Sequence, residues 1–167
     1  MNKKSPPTIR SARFVDTPGI LRLFEQALST SRYAAFTGMD QAHTKRVISE
    51  SIQRQNAEPV PNAMIVLVAD NGDSLEGIII GAAMPLYHVL DATLVTDLIW
   101  YAPPEANSRT GLKLVRGLHK WAAKGKGAVV VRHGMTDAIG DPDRTSAVFR
   151  AAGFRRAGVI YEKEIDQ

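Results

Sequence analysis

Leu94-Val95-Thr96-Asp97-Leu98-Ile99-Trp100 runs through Tyr101-Ala102 into Pro103-Pro104-Glu105-Ala106-Asn107-Ser108-Arg109-Thr110-Gly111, and that turn opens an amphipathic stretch to Lys124. An apolar strand here meets a polar, small-residue turn and then a helix, from about Ser108, whose Leu114, Leu118 and Trp121 recur at helical spacing beside Val115 and Ala122. The first amides of such a helix have no intrahelical acceptor, and the positive end of its dipole adds to them. Strand, turn and helix together predict a site for an anion, with a phosphate group as the natural occupant. A capped surface helix whose Asn107 or Ser108 bonds its own amides is the plainer alternative.

Working outward, Gly125 and Gly127 end that helix and Ala128 to Arg132 reads as a β-branched strand. Asp141-Pro142 starts a further helix, Gly153 stops it, and Val159 to Ile165 reads as a closing strand. Upstream, Thr8 to Phe14 reads as a first strand behind a flexible tail of residues 1–7. Asp16-Thr17-Pro18 pairs a capping side chain with a proline for a helix carrying Ile20, Leu21, Phe24 and Leu28. Asp40 caps a second, half-exposed helix to about Gln55. Ala63 to Asp70 and Leu75 to Leu86 form a hairpin through Asn71-Gly72-Asp73, with Gly77 and Gly81 as points of bulge or close approach. The order β-α-α-β-β-β-α-β-α-β mixes hairpins with crossovers, an α/β (α+β mixed sheet) arrangement.

With 167 residues and a net charge of +4, the chain reads as one domain after its tail, 8–167. No cysteine is present, which removes disulfides, thiol nucleophiles and thiolate metal sites. The longest apolar runs are too short to span a bilayer, and the lysines near the N-terminus have no apolar segment behind them, so a cytoplasmic protein is expected. The basic residues lack interleaved aromatics, which argues against a nucleic-acid partner. The histidines and aspartates show no ligand spacing, so no metal site is expected.

These residues resemble the GCN5-related N-acetyltransferase (GNAT) superfamily over roughly residues 8–165, most strongly after residue 92. The turn Ala106-Asn107-Ser108-Arg109-Thr110-Gly111 aligns with the family's pyrophosphate pattern Arg/Gln-x-x-Gly-x-Gly/Ala at Gly111, with Ala106 and Arg109 standing at the other two signature positions. Gly153-Phe154 matches the end of the family's second motif, and Phe149 stands where a tyrosine is usual. In many members that tyrosine protonates the departing thiolate; phenylalanine has no proton to give. The resemblance implies acetyl-coenzyme A as cosubstrate and an amine, small molecule or protein, as acceptor. It places Ser108, Arg109, Thr110, Gly111, Leu112 and Lys113 at the pyrophosphate, the backbone of Leu98, Ile99 and Trp100 along the pantetheine arm, and Phe149 beside it.

Acetyl transfer to an amine needs a proton acceptor and donors for the oxyanion. Asp97, an acid in an apolar strand, is the first candidate for the base; a structural ion pair or a position on the strand's open side is its alternative. Tyr161 is a candidate donor to the thiolate in place of the missing tyrosine. His88 and His133 are alternative bases, whereas His43 and His119 fall on charge-rich helix faces and are expected to be solvated. Tyr33, Phe36 and Tyr87 suit an apolar rim for the acceptor, or simply pack their loops. A reading from another class also stands: a fold kept as a structural or interaction module, with coenzyme A binding lost, for instance in a phage virion-associated or host-interacting protein. Assembly as a homodimer or within a larger complex is compatible with either.

Overall fold

The computed structural model describes residues 6–35, 37–135 and 138–163. Its elements are β1 (Thr8–Ser11), α1 (Thr17–Ser29), α2 (Gln41–Gln53), β2 (Met64–Asp70), β3 (Leu75–Pro85), β4 (Thr93–Tyr101), α3 (Thr110–Ala122), β5 (Val129–Arg132) and α4 (Pro142–Ala151). The five strands form one mixed sheet in sequence order. The pairs from β1 to β4 are antiparallel; β4 and β5 are parallel, as a crossover through α3 requires.

Two apolar layers hold this sheet. On one face, Ile20, Leu21, Leu23 and Ala27 of α1 and Ile48 and Ile52 of α2 cover Met64, Val66, Val68, Ile78 and Ile80. On the other, Leu114, Leu118, Trp121 and Ala122 of α3 cover Ile65, Leu67, Ala69, Ile79 and Val95. Alternation along β2 and β3 divides each strand between these layers. Each fully buried Leu or Ile removes enough apolar surface from water to contribute about 1.5–3 kcal/mol before entropic costs.

The β2–β3 turn is built as its sequence suggests. Asn71 Oδ1 accepts from the amides of Asp73 and Ser74 at 3.0 and 2.9 Å, and Gly72 takes φ +96°. Asp40 caps α2 by accepting from the His43 amide at 2.9 Å. Asp16 behaves differently. Its carboxylate does not cap α1; it accepts from the Arg13 amide and from two Arg10 nitrogens at 2.7 and 2.8 Å. A nearby guanidinium offers a charged donor, which outbids a helix amide.

Three other boundaries differ from expectation. β1 stops at Ser11, and Phe14–Asp16 form a 3-10 turn. Pro7 is buried and its carbonyl accepts from Lys113 Nζ at 2.8 Å, so the chain is docked before Thr8. No strand forms at residues 159–163; Glu164 and Ile165 lie outside the described residues. The β-branched run there meets no partner strand, because β5 is only four residues long.

Candidate active site

β4 carries an irregularity that shapes the site. Ile80 pairs with Ile99 and the next residue, Gly81, pairs with Asp97, so Leu98 is an extra, bulged residue. On the opposite edge, β4 and β5 pair from Thr93/Val129 only as far as Thr96/Arg132. Beyond that the strands part, and the stretch Leu98, Ile99 and Trp100 has no β5 partner. The parting of the two strands forms a fork along the backbone of these three residues.

Asp97 and His133 are the first residues past the last pair. His133 Nδ1 lies 2.9 Å from Asp97 Oδ1, with side chains only 1% and 9% exposed. The Gly134 amide approaches the same carboxylate oxygen at 3.4 Å. His133 stacks on Phe149 at 4.9 Å and 21°, and meets Phe154 edge-on at 4.9 Å. Phe149 also faces Trp100 at 5.3 Å, and His119 lies 5.9 Å from His133 and 4.7 Å from Phe154. The fork is therefore walled by aromatic and imidazole rings. Trp100 Nε1, His119 Nε2 and both ring nitrogens of His133 are buried in this wall with no hydrogen-bond partner among the described residues; the Asp97 contact to Nδ1 is within ion-pair distance but out of hydrogen-bond alignment. Burial holds the His119 pKa below the ordinary imidazole value, and the neighbouring His133 adds to the effect.

The second part of the site is the start of α3. Asn107 Oδ1 accepts from the Arg109 amide at 3.1 Å, and the Asn107 carbonyl accepts from the Thr110 amide at 2.8 Å. The Asn107 amide points to the buried Glu76 carboxylate at 3.4 Å. That leaves the amides of Ser108, Gly111 and Leu112 without an acceptor among the described residues. Thr110 Oγ1 is buried and also unpartnered. A Cβ on Gly111 would stand 3.0 Å from the Trp100 ring, so glycine lets the indole lie against the first turn of the helix. Free amides at a helix start and orphaned polar atoms in the adjoining fork fit a phosphate-bearing ligand with a polar arm.

Other expected site residues fall elsewhere. Lys113 spends its ammonium on Pro7, away from the turn. Tyr161 is 91% exposed, next to Glu162, which accepts from Arg32 at 2.6 Å and from the Tyr33 hydroxyl at 2.8 Å. The same α1–α2 connection is tied to the segment after β5 by the Ser31–Ile139 bridge and by the Arg32 amide on the Ala138 carbonyl at 3.1 Å. Tyr33 and the exposed Tyr87 belong to different loops, and Phe36 lies outside the described residues. His88 and His43 are exposed. His119 is not solvated as expected: it is packed against His133 and Phe154. Both buried histidines had a signal. Leu112, Val115, His119 and Ala122 repeat at helical spacing, and Val129, Val131 and His133 alternate onto one face.

No three potential ligands are grouped to hold a metal among the described residues, and no helix there is long and apolar enough to cross a membrane. No family model and no curated protein matches the chain. Solved structures do match its fold. Ribosomal-protein-alanine N-acetyltransferase from Brucella melitensis superposes with TM-score 0.66 at 18% identity over 90% of this chain and 86% of its own. An aminoglycoside acetyltransferase from an uncultured soil metagenomic sample, in complex with trehalose, gives 0.62 at 17% identity over 95% and 96%. A Trypanosoma brucei acetyltransferase gives 0.65 at 10% identity over 95% and 99%. The chain has the GNAT acetyltransferase fold.

Proposed function

We propose that the protein transfers an acetyl group from acetyl-coenzyme A to an amine. The observation that carries this reading is the fork between β4 and β5, which opens directly beside the free amides of α3. The Ser108, Gly111 and Leu112 amides bind the pyrophosphate with the Arg109 guanidinium, while Thr110 anchors the first turn. The unpaired backbone of Leu98, Ile99 and Trp100 orients the pantetheine arm, and an amide near Ile99 polarises the thioester carbonyl. Phe149 and Trp100 exclude water from it. Bound there, the thioester supplies the activated acetyl carbon. Asp97, at the mouth of the fork, takes up the amine proton directly or through water. Tyr161 is a proton donor to the sulfur only if its segment swings inward, since its hydroxyl stands in solvent.

A second reading, a fold retained without catalysis, is favoured by specific features. Phe149 has no hydroxyl, and the Asn107 and Arg109 amides already face acceptors within the protein. Thermal-shift titration with acetyl-coenzyme A is the first test. A ligand at 100 times its Kd stabilises the folded state by about 2.7 kcal/mol. Absence of a shift at about millimolar ligand, far above any useful Kd, eliminates the acetyltransferase reading. Binding without transfer to sisomicin, to a peptide with N-terminal alanine or to simple primary amines, unchanged in Asp97→Asn, supports the second.

A further inference from the structure

We propose that His133 carries the proton in acetyl transfer and that Asp97 is its positioning residue. This inference rests on the acetyl-transfer reading above and assigns the proton chemistry of that site to a different side chain.

The geometry is that of a held imidazole. His133 directly follows the last paired residue of β5, as Asp97 follows that of β4. The carboxylate sits 2.9 Å from Nδ1. Phe149 lies flat against one side of the ring and Phe154 stands edge-on to it, so the ring is fenced against rotation. The carboxylate lies in ion-pair range of Nδ1 without hydrogen-bond alignment, and its charge favours the tautomer with the proton on that nitrogen, which leaves Nε2 as the acceptor. Nε2 is buried and has no partner among the described residues. A native protein seldom leaves such an atom unpaired without a use for it. Among the described residues, the groups facing the ring are Asp97 from β4, His119 from α3, and Phe149 and Phe154 from α4 and its end. Beside the ring, Phe149 also meets Trp100 at 5.3 Å.

The chemistry favours an imidazole over a carboxylate. A neutral imidazole accepts a proton on one nitrogen while holding one on the other, a two-sided capacity for proton transfer that an ionised carboxylate lacks. When a neutral amine attacks, the carbon–nitrogen bond forms, the carbon–sulfur bond breaks and sulfur keeps the electron pair. The nitrogen then has one proton to lose and the sulfur one to gain. Nε2 accepts the first and returns it to the second, and the imidazole ends as it began. No separate tyrosine hydroxyl is needed.

The test uses the full chain with acetyl-coenzyme A and the amine panel named above. His133→Gln and His133→Phe should keep the thermal shift on acetyl-coenzyme A. Turnover should fall about 100-fold or more, in kcat rather than KM. Added imidazole should restore part of the turnover of His133→Ala. Independently of activity, nitrogen NMR of the His133 ring should show the proton on Nδ1, and Asp97→Asn should shift that tautomer. Full turnover in His133→Phe overturns the inference, as does a ring protonated on Nε2. If the unaltered protein binds acetyl-coenzyme A but acetylates none of the amines, the proton role falls while the binding site stands. If it does not bind, the parent reading itself falls.

Discussion

The side chain of Leu118, from the middle of α3, fills the space in which a Cβ on Gly81 of β3 would stand. Helix and sheet approach here as closely as a glycine allows, beside the register shift that ends at Asp97. Gly81→Ala should therefore destabilise the protein by about 1–3 kcal/mol, the usual cost of overpacking. Leu118→Ala alone should cost about 2–5 kcal/mol through the cavity it leaves. The double variant should lose less than the sum, because each change relieves the other. Urea unfolding of the four proteins measures this; strict additivity would contradict the packing described.

Arg10 bridges two carboxylates, with Nε on Asp70 at 2.8 Å and its terminal nitrogens on Asp16. The Arg10 hydrogen bond is the main cause holding Asp16 below the usual carboxylate range. Asp70 is held down first by the Gly72 amide and then by Arg10. Carboxylates with depressed values contribute stability above their unfolded pKa and lose it as pH falls through the folded one. Arg10→Met should cost about 2–3 kcal/mol at neutral pH, on the scale of charged hydrogen bonds. The two proteins should converge in stability as pH falls through the folded values of the two carboxylates.

His119 acts in the same direction but in a window nearer neutrality. Its folded value is lowered by burial and by His133, so the unfolded chain takes up a proton first as pH drops below about 6.5. Stability is thus lost on acidification from neutrality toward the folded pKa, and no further below it. Unfolding free energies at about pH 7.5 and 5.5 should fall more for the unaltered protein than for His119→Leu. An equal fall in both would show that the imidazole is not the titrating group.

At the start of α3, Asn107 supplies the cap that Arg109, the residue before the helix, does not. Asn107→Ala should cost about 1 kcal/mol of stability. It also frees the Arg109 amide, so affinity for coenzyme A should be maintained or improved. Gly111→Val should act the other way: it drives a side chain into the Trp100 ring and weakens coenzyme A binding. Parallel calorimetric titrations distinguish the two; weakened binding in both would mean that Asn107 itself touches the ligand.

The element order from β1 to α4 and the buried faces of α1 and α3 were legible in the sequence because they rest on periodicity. Ile20 and Leu21, and Leu114 and Leu118, lie where spacing puts them. The turn at Asn71 and the cap at Asp40 were legible because their chemistry is local. What was hidden depends on distant partners. Asp16 reads as a cap until Arg10 is brought beside it. His119 reads as solvated until α4 and Phe154 close over its face. The strand expected from Val159 had the right residues but no edge to join. Of the site, Asp97 and the Ser108–Gly111 turn could be named from sequence, whereas the meeting of Asp97 with His133 needed two strands to part at a particular residue.

The bulge at Leu98 has one more implication. Asp97 and Trp100 both face α3, while Ile99 packs into the opposite layer. Remove Leu98, and simple alternation would place all three as they are now. The core therefore has no need of this residue, whose side chain is 54% exposed. β4 is one residue longer than packing asks, at the very point where it leaves β5. A chain shortened by that single residue should fold as before with a regular fourth strand, and what it loses would measure what the extra residue is for.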